Sequence, residues 1–471
     1  MAGDSEPLHI AMLPWAAFGH MIPYLELANL IAQKGHKISF LSTNLNIKRL
    51  PKPPASLHIE FISLSLPQVE GLPENAEATT DIPMNKVDYL KMAYDGLKEP
   101  VAHFLETSKP DLILHDYFSY WVSPIASKLG TKVAFFSVYT PEAITYFSPP
   151  RDGTDDRTLL EHFLVPPKWV PFPTNVSFRP CELKRMSECV PGEVGGVSET
   201  FRIAQSIRRC DALAIRGCRL FQPEWLKLLE DMHKKPVIPV GQIPPTLTSL
   251  LTDAEKESEV REMENWLEKH NKGSVVYVAF GSEAKLTQLE INEIAHGLEK
   301  SGLPFFWVLR KRRGPHDDEV LELPEGFEER VRGRGVVYTT WVPQLRILSH
   351  DSVGGYLIHS GWSSVVEAMS LAKPMILLTF CYDQGLCARV LEEKKMGYPI
   401  PRNEFDGTFT SDSVAESLRL VVVEEGGKIY RDKAREMKEF FGNLKLQDQY
   451  VDDLIGFFKT RRHSNPVADC E

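Results

Sequence analysis

No stretch of this 471-residue chain holds the roughly 18 consecutive apolar residues that a membrane-spanning helix needs. Met1 to Pro14 lacks a charged segment followed by an apolar core, so no secretory signal is expected there. The seven cysteines (Cys181, Cys189, Cys210, Cys218, Cys381, Cys387 and Cys470) are odd in number and show no CxxC spacing. That disfavours a disulfide or zinc framework and suits reduced thiols. Without secretion, the Asn175-Val-Ser177 sequon reads as chance. A net charge of −10 argues against nucleic acid as the main partner. These absences predict a soluble cytoplasmic protein.

Chemical signatures are missing as well. Neither half carries GxGxxG after its first strand, which disfavours a nicotinamide or flavin dinucleotide. The P-loop pattern GxxxxGK[ST], the zinc motif HExxH and the nucleophile elbow GxSxG are all absent. Asp-Asp pairs at 155–156, 317–318 and 452–453 lie in polar surroundings and read as solvated charges, so no metal site is expected.

What is present is a pattern used twice. Hydrophobic content of 43% and charged content of 25% describe an ordinary folded chain, long enough for about two to four units. The first half opens with the strand-like LHIAMLPW and the loop AAFGH. A helical segment follows, with Leu27, Leu30 and Ile31 on one face and Gly35 as its stop, and then the strand HKISFLST. In the second half, SVVYVAF leads through GSEAK to Thr287-Gln-Leu-Glu290, which has capping-box spacing. Ile291, Ile294, Ala295 and Leu298 then line one helical face before the strand LPFFWVLR. β-loop-α-β grammar in both halves predicts an α/β protein of two Rossmann-like domains with parallel sheets and a cleft between them.

Four prolines between Pro236 and Pro245 mark the boundary, within Pro236–Ser249. The expected division is 1–240, a linker at 241–262, a second domain at 263–445 and a C-terminal helix at 446–471. A second proline-rich tract, Pro149–Pro191, reads as an irregular insertion in the first half and part of a substrate mouth. Asp432–Lys459 reads as one or two amphipathic helices.

The stretch HSGWSSVVEAM, His359–Met369, joins the apolar run GGYLI to a helical segment. Ser363 or Ser364 is open to reading as a simple helix cap. The alternative is an anion site, since a helix N-terminus offers unpaired N–H groups and a partial positive charge.

The wider segment favours the anion. From Trp341 to Gln384, this chain resembles the signature of plant UDP-dependent glycosyltransferases. Trp341, Pro343-Gln344, His350, Gly354, His359, Gly361-Trp362, Ser364, Glu367, Pro374 and Asp383-Gln384 are in register. The likeness extends over the whole chain, including the FGH loop and the FGS turn at Phe280–Ser282. It implies the GT-B architecture and a UDP-sugar co-substrate in place of a cofactor. Trp341 offers a flat face for uracil, and the resemblance assigns Val342 and Gln344 to the base and ribose edges. Glu367 can accept both ribose hydroxyls. His359, Ser282 and Ser364, with the helix start at Gly361, Trp362 and Ser363, are expected to hold the diphosphate. Asp383 and Gln384 are implied to bind the sugar.

The family's base matches His20, and its aspartate partner matches Asp116 at the end of DLILHD. An imidazole suits general-base work near neutral pH, and Asp116 would orient it. His115 is the neighbouring alternative. No second carboxylate is paired with a nucleophile, so a single inverting displacement is expected.

Ser363 stands where most of the family has Asn, and Leu378-Thr379 where Trp-Pro is common. These departures resemble the branch that adds a sugar to an existing glycoside. UDP-rhamnose or UDP-glucose is the implied donor, with Leu378 and Phe380 as an apolar contact for a C6 methyl. Trp15, Phe18, Tyr117, Phe118, Tyr120, Trp121, Tyr139, Tyr146 and Phe147 suit a flat flavonoid, triterpenoid or steroid glycoside, whereas Phe135 and Phe136 read as strand core. The chain is expected to act as a monomer. Transfer directly onto an aglycone, a UDP-sugar epimerase and a non-catalytic UDP-sugar binder are the rival readings.

Overall fold

The computed structural model describes residues 6–150, 157, 159–189, 197–245, 257–310 and 320–462. They fall into two compact units. One is drawn from Met1–Asp156, Val190–Ile243 and Leu444–Glu471, the other from Arg157–Cys189 and Pro244–Asn443.

In the first unit, seven strands form one parallel sheet: β1 His9–Leu13, β2 Lys37–Thr43, β3 Ile59–Leu64, β4 Leu112–His115, β5 Lys132–Ser137, β6 Ala212–Ile215 and β7 Val237–Pro239. Their order is β3-β2-β1-β4-β5-β6-β7. Successive residues of β5 feed opposite cores, Val133 and Phe135 to one and Ala134 and Phe136 to the other. Both faces of the sheet are therefore covered, which is why its strands read as continuous apolar runs. β7 lies at the sheet edge, where the missing N–H of Pro239 breaks no ladder.

The second unit repeats the design with six parallel strands: β8 Val275–Ala279, β9 Phe305–Val308, β10 Gly335–Tyr338, β11 Val353–Ile358, β12 Met375–Leu377 and β13 Gly397–Pro399. Their order is β10-β9-β8-β11-β12-β13. After β8, the helix Gln288–Ser301 starts with the expected capping box of Thr287 and Glu290, and buries Ile291, Ile294, Ala295 and Leu298. In each sheet the order reverses at one place, between β1 and β4 and between β8 and β11. Loops at the carboxyl ends of such strand pairs are where α/β sheets bind ligands.

The chain divides differently from the sequence reading in one respect. The described part of Pro149–Pro191 contains a 3-10 turn, Leu160–Phe163, and a helix, Pro180–Cys189, and residues 157–189 belong to the second unit. Pro180 opens that helix, a position where a missing N–H costs nothing. Residues 151–156, 158, 190 and 191 of the tract lie outside the described residues, as do the Asp-Asp pairs at 155–156 and 317–318. The units change over between Ile243 and Pro244, and the helix Glu257–Leu267 starts within the segment read as linker, of which 246–256 is outside the described residues. The tail forms two helices, Lys428–Phe441 and Leu444–Thr460. The second buries Val451, Leu454, Ile455 and Phe458 in the first unit's core. Among the described residues, no helix is long and apolar enough to cross a membrane.

Two core histidines give the first unit an acid-sensitive stability. Burial pushes both His115 and His233 down to about 4. Each is neutral in the fold but charges readily once unfolded, so its contribution is full above about pH 6.5 and lost as pH falls toward 4. Between pH 7 and pH 5 each should cost about 2 kcal/mol of stability. Urea denaturation at both pH values checks this: His233→Gln should lose about 2 kcal/mol less than the parent over that interval. Equal losses would contradict the assignment.

Candidate active site

The helix Phe18–Gln33 begins directly after the loop that leaves β1, so His20 lies in its first turn rather than in the loop. Asp116 follows β4, at the start of the 3-10 turn Tyr117–Ser119. Adjacency of β1 and β4 brings the two together across 96 residues of chain, with His20 Nδ1 and Asp116 Oδ2 2.6 Å apart. The carboxylate side chain is 2% exposed and the imidazole 12%, so the pair is shielded while the ring keeps an accessible edge. Asp116 on Nδ1 fixes the tautomer in which Nε2 carries the lone pair that can accept a proton.

His115 is not an alternative to His20. Its Nδ1 donates to the Asp116 carbonyl at 2.9 Å, its Nε2 meets Ser123 Oγ at 3.0 Å, and the ring is fully buried. It serves as a structural strut.

Aromatic rings surround His20. Tyr139 meets it edge-on at 5.7 Å, and Tyr117 and Phe118 lie 6.4 and 6.3 Å away. Behind them Trp15 stacks on Phe118 at 4.0 Å. Within the expected aromatic set, Trp15, Tyr117, Phe118, Trp121 and Tyr146 are buried, as are Phe135 and Phe136. Phe18, Tyr120, Tyr139 and Phe147 are only partly buried and keep surface for a ligand.

In the second unit, Ser282 lies beyond β8 and His359 ends the run of β11. The helix after β11 is Trp362–Ser370, and its N-cap is Gly361. Ser363 and Ser364 thus sit inside the first turn, and the simple cap reading fails. The backbone N–H groups of this first turn point out of the helix start, the arrangement in which a helix N-terminus meets an anion. The Trp362 indole is buried and packs toward Phe441, so what this residue offers the helix start is its backbone N–H.

His359 is wedged between two glycines. A Cβ on Gly281 would come within 2.8 Å of its ring, and one on Gly361 within 2.4 Å, so only glycine fits at either place. Burial pushes His359 down to about 4, making it a neutral hydrogen-bonding group at pH 7. Its Nδ1 and the neighbouring Ser360 Oγ are buried with no hydrogen-bond partner among the described residues, and Ser360 holds a left-handed φ of 70°. Unsatisfied polar atoms and backbone strain at one turn point to a ligand that completes it.

Trp341 is 48% exposed, an unusual state for an indole, whereas Val342 beside it is buried. Gln344 opens the next helix, and its Nε2 donates to Glu367 Oε2 at 2.6 Å. The buried Tyr277 hydroxyl of β8 donates to Gln344 Oε1 at 3.3 Å. Burial raises that hydroxyl well above its usual range, keeping it protonated. Tyr277 was missed in the sequence, where a polar tip inside the apolar run SVVYVAF was the available signal.

Two expectations change, the apolar contact for a sugar methyl and the orientation of Gln384. Leu378 and Phe380 are core side chains, Phe380 lying edge-on to Phe280 at 5.2 Å, so neither is placed to touch a sugar methyl. Gln384 turns back, its Oε1 accepting from the N–H groups of Phe380 and Cys381 at 2.9 and 3.1 Å. Asp383 is the N-cap residue of the helix Gln384–Glu393 and is mostly buried.

Two doubly wound parallel sheets with ligand-facing loops at each reversal of strand order make up the GT-B architecture. Residues 247–439 match the model of the family described as UDP-glucoronosyl and UDP-glucosyl transferase. UDP-glycosyltransferase 91A1 of Arabidopsis thaliana is 52% identical, with 98% of each chain covered. Soyasaponin III rhamnosyltransferase of Glycine max is 42% identical over 96% of this chain and 95% of that one. The crystal structure of Glycyrrhiza uralensis UGT73P12 complexed with glycyrrhetinic acid 3-O-monoglucuronide is alike in fold, with a TM-score of 0.76 at 21% identity, covering 97% and 96% of the two chains. The chain belongs to the plant family 1 UDP-glycosyltransferases, in their 91 group.

Proposed function

We propose that this enzyme transfers a sugar, rhamnose or glucose, from its UDP conjugate to a hydroxyl of a small-molecule glycoside, with inversion at the anomeric carbon. The observation that carries the reading is the 2.6 Å contact between His20 and Asp116 where the first sheet's strand order reverses. His20 Nε2 takes the proton of the acceptor hydroxyl as its oxygen bonds to the anomeric carbon. The bond from that carbon to the phosphate oxygen breaks, and UDP leaves with the electron pair. Asp116 holds Nδ1–H and stabilises the imidazolium that forms.

Uracil stacks on Trp341, with Val342 and Gln344 along the base and ribose edges, and Glu367 accepts the ribose hydroxyls. The growing charge on the leaving diphosphate is met by the N–H groups of Trp362, Ser363 and Ser364, with Ser282, His359 and the Ser364 hydroxyl as further donors. This is electrostatic stabilisation by groups already in place. Asp383 takes the sugar hydroxyls. Support for rhamnose comes from the soyasaponin III rhamnosyltransferase relative. A glycoside acceptor is favoured by the glucuronide in the UGT73P12 complex and by the aromatic ring set around His20.

The test is to follow UDP release from UDP-rhamnose and UDP-glucose with flavonoid and saponin monoglycosides and with their aglycones. Release is expected only when a glycoside is present. An aglycone that serves equally well would move the reading to direct glycosylation. Conversion of the sugar with no acceptor would indicate an epimerase, and no turnover with any pair a binding protein.

A further inference from the structure

The tract that interrupts the first half in sequence carries a carboxylate buried in the second unit. Glu182 lies in the first turn of the helix Pro180–Cys189 and is 6% exposed. Its Oε1 accepts from Thr379 Oγ1 at 2.8 Å and from Arg402 Nη2 at 3.0 Å, and Arg389 Nη2 stands 3.8 Å away. Its Oε2 accepts from the Arg179 N–H at 2.9 Å. Arg402 donates again to Thr379, to Oγ1 at 2.6 Å and to the carbonyl at 2.9 Å. The carboxylate also presses on the start of the helix Gln384–Glu393, where a Cβ on Gly385 would come within 2.4 Å of Oε2.

One turn further along, Arg185 lies over the Phe380 ring at 4.9 Å and pairs with Glu290 and the Lys285 carbonyl. The short helix therefore grips two loops at once, the one after β12 and the one after β8.

A buried ion network of this kind is a weak source of stability but an effective way to fix one geometry. The loop it grips needs fixing. Tyr382, immediately before Asp383, holds a left-handed φ of 55°, a conformation that persists only where the surroundings impose it. Gln384 pins residues 380 and 381 from one side, and Glu182 with Arg402 pins Thr379 from the other. Thr379 is also one of the two positions, with Leu378, at which this chain departs from the Trp-Pro common in its family, and the departure supplies the hydroxyl that Glu182 uses.

We propose that Glu182 is a positioning residue for the donor sugar: through Thr379 and Arg402 it sets the loop Thr379–Asp383 so that the Asp383 carboxylate meets the sugar hydroxyls. This rests on the assignment of Asp383 to the sugar. Glu182 touches no part of the UDP cradle, so its influence falls on the sugar alone.

Calorimetric titration of the full chain with UDP, UDP-glucose and UDP-rhamnose, without acceptor, separates the two parts of the ligand. Glu182→Gln should weaken the binding of whichever UDP-sugar the parent binds by about tenfold, on the scale of a lost charge-assisted hydrogen bond, while UDP stays within twofold. Thr379→Val should act in the same direction, and Thr379→Ser should retain the parent's binding. Thr379→Val carries the test if Glu182→Gln does not fold. Asp383→Ala is the control for the underlying assignment. If it weakens UDP-sugar and the Glu182 and Thr379 variants do not, the positioning role is wrong and the sugar site stands. If Asp383→Ala has no effect, the sugar site itself is wrong. Parallel loss of UDP and UDP-sugar would mark Glu182 as merely structural and overturn the proposal.

Discussion

His20→Ala is expected to lower turnover by about 10²–10⁴, the range that a positioned general base supplies, while UDP binding stays within about twofold. The separation follows from where the groups are. The imidazole belongs to the first unit, on the carboxyl side of β1, whereas Trp341, Gln344, His359 and Glu367 are all in the second. Asp116→Asn should cost at least a hundredfold for a different reason. An amide keeps the shape of the carboxylate, but it no longer stabilises the imidazolium and permits the wrong tautomer. With Oδ2 only 2.6 Å from Nδ1, the charged contact is short enough for its loss to matter. Single-turnover rates measured beside UDP affinity check both variants. Near-normal turnover in His20→Ala excludes it as the base.

Glu367→Ala should weaken UDP by about 10- to 100-fold, the scale of one net hydrogen bond to a charged group, about 1.5–3 kcal/mol. The specific signature is selectivity. The parent enzyme should prefer UDP to 2′-deoxy-UDP, and Glu367→Ala should erase that preference. Gln344 sits 2.6 Å from the same carboxylate, so Gln344→Ala should also lower affinity, by a smaller factor. A Glu367→Ala variant that still discriminates against the deoxy analogue would remove the carboxylate from the ribose.

Much of this was legible in the chain because the physics is local. The paired β-loop-α-β patterns gave both sheets, and the capping box at Thr287 and the apolar face of the following helix are as the spacing implies. The roles of His20 and Asp116 came from the family resemblance; Asp116 follows β4 directly, His20 opens the helix after β1, and the two strands are neighbours. The misreadings concern side-chain direction and long-range pairing. Gln384 looks in the sequence like a sugar ligand, yet its Oε1 accepts from two backbone N–H groups of its own loop and its Nε2 donates to Cys381 Sγ at 3.4 Å. Leu378 and Phe380 look like free apolar contacts, but they follow a buried strand and join its core. Glu182 had no signal at all. Its partners lie 197 and 220 residues away, and no periodicity or spacing encodes a contact of that range. The proline-rich tract was read as a loop of the first half because proline punctuates a sequence without saying which unit the segment then packs on.

The most direct test is a crystal structure of the enzyme with UDP. The account predicts uracil flat against the Trp341 indole, the ribose hydroxyls on Glu367, and the terminal phosphate at the N–H groups of Ser363 and Ser364 with His359 beside it. A nucleotide bound elsewhere, or a diphosphate held away from the start of the Trp362–Ser370 helix, would contradict it.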